Sequence, residues 1–127
     1  MEAITKQYLE LFAEHSPELR ERPQLLGHYR EGAYDTFARL GLPRFKSEDY
    51  QRTDLAKLFA GDWKLLLSEG SPYWASHAFP QGIFIGSLSD FVRLYPEVAK
   101  EHYGRIASVE TDALVALNTL FTAEGFV

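Results

Sequence analysis

Gln24-Leu25-Leu26-Gly27-His28-Tyr29-Arg30-Glu31-Gly32-Ala33-Tyr34-Asp35-Thr36-Phe37-Ala38-Arg39-Leu40-Gly41 is the stretch on which the reading of the fold turns. Leu25, Leu26, Tyr29, Ala33, Phe37, Ala38 and Leu40 recur at helical spacing and draw one apolar stripe. Gly41 stands where a glycine ends a helix, and Leu42-Pro43 forces an extended link after it. The pattern predicts one helix over 24–40. Gly32 inside it costs about 1 kcal/mol of helix propensity relative to Ala, so a close helix–helix contact is expected there, with a kink as the alternative.

Working outward, Ile4, Tyr8, Leu9, Leu11 and Phe12 predict an earlier helix, which Ser16-Pro17 is expected to stop. On the other side, Ser47 reads as the N-cap of a short helix with Glu48 and Asp49 in its first turn. Asp54 can cap a further turn over Leu55–Phe59, and Gly61 closes the helical half.

Periodicity then changes. Trp63–Leu67, Tyr73–Phe79 and Ile83–Ile85 are short, aromatic or β-branched, and bounded by Gly, Ser and Pro, which predicts two or three strands. Ser87-Leu88-Ser89-Asp90 has the form of a capping box and opens a helix through Phe91, Val92 and Leu94. Pro96 suits the first position of another helix, ended by Gly104, and a last helix is expected from about Glu110 through Leu114, Leu117, Leu120 and Phe121. Gly125-Phe126-Val127 looks like the opening of a strand with nothing to pair against, as in a piece of a longer chain. The expected class is α+β and mostly helical, with a helical segment over 1–61 and a small strand–helix module over 62–127.

Composition excludes several functions. A chain of 127 residues with 46% hydrophobic residues can bury a core without staples, and with no cysteine it can form neither a disulfide nor a thiolate metal site. The first residues lack the basic start and apolar run of a signal peptide, so a cytoplasmic address is expected. Apolar runs such as Leu65–Leu67 are far short of the roughly 20 residues of a membrane span, so no membrane partner is expected. A net charge of −5 opposes binding to a phosphate backbone, so no nucleic-acid partner is expected either.

Chemistry-bearing residues do not converge. His15, His28, His77 and His102 fall into no metal-ligand spacing, and helix-end or surface roles suit them better. There is no nucleophile elbow, dinucleotide fingerprint or P-loop. Glu48 and Asp49, as helix neighbours, point in different directions and read as helix-start acids. Tyr73-Trp74 could mark a recognition surface, with core packing the commoner use of such residues. No residue is assigned as catalytic, cofactor-binding or metal-binding, no cofactor is expected in this segment, and the chain is expected not to be an enzyme.

Three stretches carry a family likeness. Gly41-Leu42-Pro43-Arg44-Phe45-Lys46-Ser47-Glu48-Asp49-Tyr50-Gln51-Arg52-Thr53-Asp54-Leu55 resembles the SufB/SufD segment that reads Gly-Leu-Pro, two variable residues, a basic residue, a variable one, Glu, an acid, an aromatic and shortly Thr-x-Leu. Gly82-Ile83-Phe84-Ile85-Gly86-Ser87-Leu88, then Pro96-Glu97-Val98 and Glu101-His102-Tyr103-Gly104, is similar to that family's strand and capped helix. Ala113-Leu114-Val115-Ala116-Leu117-Asn118-Thr119 resembles its Phe-Val-Ala-Leu-Asn-Thr. Order and spacing agree over about residues 29–127; Gln51-Arg52 departs from the family's basic-then-aromatic pair.

The resemblance, closest to SufD, implies the N-terminal part of an iron–sulfur cluster assembly scaffold that works with SufB and SufC. Family members look several times longer, continuing into a right-handed parallel β-helix and a helical part that docks the SufC ATPase. Residues 62–127 would then cap the first coil of that β-helix, since a solenoid end leaves unpaired edges. The resemblance implies that cluster-handling and ATPase-docking residues lie mostly beyond position 127, so no functional residue is carried over to this segment. The last helix, with Leu114, Leu117, Leu120 and Phe121, would leave apolar surface for self-association. The alternative is a free-standing helical protein-interaction module.

Overall fold

Helix α1, Ala3–Arg20, buries Thr5, Tyr8, Leu9 and Leu19 and runs through Pro17, where the sequence suggested a stop. The computed structural model describes residues 2–22, 24–67 and 77–127. Pro17 has no N–H, and an interior proline costs about 3 kcal/mol. The turn beyond it fully buries Leu19, a gain of roughly 1.5–3 kcal/mol, and the Leu19 carbonyl accepts a hydrogen bond from Arg30 Nη1 at 3.0 Å. Tertiary packing therefore offsets the local cost.

The stretch over 24–40 forms two helices, α2 (Gln24–Gly27) and α3 (Arg30–Leu40), parted at His28-Tyr29. The expected close contact at Gly32 is absent: a Cβ there would meet nothing within 4 Å. Gly27 is the tight position, where a Cβ would stand 3.3 Å from Arg30 Nη1. The bend follows Gly27 and lets Arg30, at the start of α3, reach the end of α1.

Beyond α3, Gly41 adopts a φ of 65°. Ser47 precedes a 3-10 turn, Glu48–Tyr50, but makes no capping bond with its side chain, contrary to the sequence reading; its carbonyl accepts from the Tyr50 N–H at 3.0 Å instead. That backbone bond, rather than a side-chain cap, closes the turn. Helix α4, Leu55–Phe59, is capped as expected by Asp54, whose Oδ1 accepts from the Lys57 N–H at 3.1 Å.

Trp63–Leu67 is not a strand: among the described residues its backbone finds no ladder partner, and Leu65 lines one cavity together with Phe121 of the last helix. Tyr73-Trp74 lies outside the described residues. The end of that predicted strand is β1, His77–Phe79, which pairs antiparallel with β2, Ile83–Ile85, in the register His77↔Ile85 and Phe79↔Ile83. Gly82, at φ 79°, closes the three-residue loop between them.

Helix α5, Leu88–Leu94, is capped by Ser87, whose Oγ accepts from the Asp90 N–H at 3.1 Å, and α6, Pro96–His102, begins on its proline. Helix α7, Ala113–Phe121, begins three residues later than the sequence suggested, because the Asp112 carboxylate accepts from the N–H groups of Leu114 (2.8 Å) and Val115 (3.1 Å) and fixes the start there.

The core joins α1, α3 and α7. Tyr8, Leu9, Phe37, Leu42, Leu117 and Leu120 fill it, and the fully buried Ala33 and Ala116 belong to the same cluster. It therefore draws on residues from both sides of Gly61. The apolar surface expected on α7 is largely consumed here: Leu117 and Leu120 are buried, and Leu114 and Phe121 are half-buried.

Candidate interaction surface

A strand's side chains alternate between its two faces, and β2 uses one face for packing. Phe84 turns inward, with ring centroids 5.2 Å from Phe91 and 5.9 Å from Tyr95. Ile83 and Ile85 turn outward, and the register sets Phe79 and His77 opposite them on the same face. Phe79 (46%), Ile83 (54%) and Ile85 (47%) are strongly exposed, which is unusual for the most β-prone residues of a hairpin.

The last residues extend this small sheet. Gly86 and Val127 exchange two backbone hydrogen bonds, at 2.9 and 2.8 Å, and the Leu88 N–H donates to the Gly125 carbonyl at 2.8 Å. Ser87 and Phe126 form an antiparallel bridge, so Gly125-Phe126-Val127 has a partner within the chain, contrary to the sequence expectation. Glu124 fixes the approach: its Oε1 accepts from the Ser89 N–H at 2.8 Å in the first turn of α5, where a carboxylate suits the positive end of the helix dipole. Phe126 remains 61% exposed beside the hairpin. The module thus presents apolar side chains from two neighbouring segments, the arrangement of a packing surface.

Arg30 holds the helical half in place. Its side chain is buried; Nη1 donates to the Leu19 carbonyl at the end of α1, and Nη2 to the Thr122 carbonyl at the end of α7, 2.5 Å away. Both are negative helix ends, where a cation is favoured. Burial lowers the Arg30 pKa and raises that of the neighbouring Tyr103 phenol. Sequence reading passed over Arg30, although it falls with Leu26, Ala33 and Phe37 on the buried stripe at spacings of four, three and four. A lone arginine in that register was the available signal.

The structure keeps the histidines apart. His15 Nδ1 lies 3.3 Å from Glu18 Oε1, His28 stacks edge-on against Tyr29, His77 is on β1 and His102 ends α6. Among the described residues no three His, Asp or Glu side chains cluster as metal ligands would. Glu48 and Asp49 begin the 3-10 turn, as helix-start acids do. No helix among the described residues is long and apolar enough to cross a membrane.

The family model described as SufBD protein N-terminal region matches residues 2–72 and 71–127, together nearly the whole chain. No curated protein and no solved structure matches the chain.

Proposed function

The chain belongs to the SufB/SufD family, through its N-terminal region, and from that premise we propose that it is the N-terminal portion of a SufD-like scaffold subunit acting with SufB and SufC in the cytoplasm. The family's role is iron–sulfur cluster assembly. In this reading the segment's work is assembly rather than turnover.

One observation carries the reading of this segment: the outward face of the β1–β2 hairpin, with Phe79, Ile83 and Ile85, is continuous in sequence with the Gly86–Val127 pairing. Covering an apolar strand face of this kind is what a cap on a parallel β-helix would do. The segment then positions the remainder of the scaffold and carries no reacting group.

Copurification tests the reading. The product of the complete reading frame, tagged and coexpressed with SufB and SufC, is expected to retain both through washing. Retention of neither would overturn it.

A further inference from the structure

Residues 77–102, which hold β1, β2, α5 and α6, take no part in the central core. Neither the buried cluster of α1, α3 and α7 nor the half-buried side chains packed against it include one of them. Among the described residues of this stretch, Ala99 is the one buried apolar side chain. The aromatic cluster beneath β2 is poorly covered, with Phe84 and Phe91 half-buried and Tyr95 exposed. The stretch packs chiefly on itself, β1 on β2 and α5 on α6. A two-stranded hairpin and helices of seven residues are each too short to hold their shape alone in water.

Two attachments join it to the helical core. At its end, Tyr103 and Gly104 seat against Tyr29: the two tyrosine rings have centroids 6.1 Å apart, and the Tyr29 ring fills the space beside Gly104. Tyr103 also hydrogen-bonds with Thr122, just past α7. The other attachment is the segment that follows α7. Glu124 Oε1 accepts from the Ser89 N–H, the Gly125 carbonyl accepts from Leu88, and Val127 exchanges two bonds with Gly86. Glu124 supplies the side chain that reaches across in this set. The first attachment is packed and the second is made of exchangeable hydrogen bonds.

We propose that residues 77–102 open and close on the α1–α3–α7 core as one unit, pivoting at Tyr103-Gly104 and latched by Glu124. A segment with few buried apolar contacts opens at a lower free energy than the core it rests on. A surface that covers the outward face of the hairpin therefore orders the whole unit as it binds, so that docking and ordering are one event. This opening follows from the packing of the chain alone, and its failure would leave the SufD-like reading in place.

Hydrogen exchange of the 127-residue chain, followed residue by residue by NMR, tests it. The helix-bonded amides of Tyr95 and Ala99 are expected to exchange at least about a hundredfold faster than the central amides of α3 and α7. Glu124→Ala should speed Tyr95 and Ala99 by a further factor of about three or more and leave α3 and α7 unchanged. Glu124→Gln, which keeps an accepting oxygen, should speed the same amides by less, and it carries the comparison if Glu124→Ala does not fold. Exchange of Tyr95 and Ala99 at the rate of the core amides would overturn the proposal. So would equal acceleration of unit and core in the Glu124 variants, or no acceleration at all.

Discussion

The ring of Tyr29 occupies the space that a side chain at Gly104 would need: a Cβ there would lie 2.5 Å from Tyr29 Cε2. Gly104 also holds a φ of 75°, a conformation that costs other residues about 1 kcal/mol or more. Gly104→Ala is therefore expected to destabilise the fold by about 2–3 kcal/mol, read as a lower urea midpoint. Restoring the space with Gly104→Ala/Tyr29→Leu should recover part of the loss; equal midpoints for wild type and Gly104→Ala would refute the contact.

Stability should fall in strong alkali. Burial, the largest influence, raises the Tyr103 pKa above 10.0, while the Arg30 charge and a hydrogen bond with Thr122 pull it down by less. A folded-state pKa above the unfolded value means that the folded chain holds the proton more tightly. The contribution is thus fully present below about pH 10 and lost as pH rises through the folded pKa. Urea midpoints measured from pH 9 upward should decline, and Tyr103→Phe should flatten that decline.

Asp112 fixes the start of α7 by accepting two backbone N–H groups, so Asp112→Ala should cost about 1 kcal/mol. Asp112→Asn, which keeps an accepting oxygen, should cost less. Chemical denaturation of the two variants side by side checks the order.

Local chemistry made much of this fold readable. The Asp54 and Ser87 caps, Pro96 opening α6 and Gly104 just past its end each follow from one residue's backbone preference, and the structure has them where the residues stand. What stayed hidden depends on distant partners. Pro17 reads as a stop until Leu19 and Arg30 are seen to meet beyond it, and His28-Tyr29 reads as helix until Arg30 is seen to need its reach. Trp63–Leu67 has strand residues but no neighbouring strand among the described residues, and sheet formation is decided by the neighbour. For the candidate surface, the alternation of Ile83, Phe84 and Ile85 was legible, but not which face helix α5 would cover.

The outward face of β2 is the centre of the account, and the chain's lack of cysteine offers a direct probe of it. A single Ile85→Cys thiol should react with a soluble maleimide quickly in the 127-residue chain, where Ile85 is 47% exposed. In the SufD-like scaffold assembled with SufB and SufC that we propose, peptide mapping at this position should find labelling slowed at least about tenfold, as expected when a residue passes from an exposed to a covered face. Equal labelling rates in the two settings would contradict the claim that this face is a packing surface.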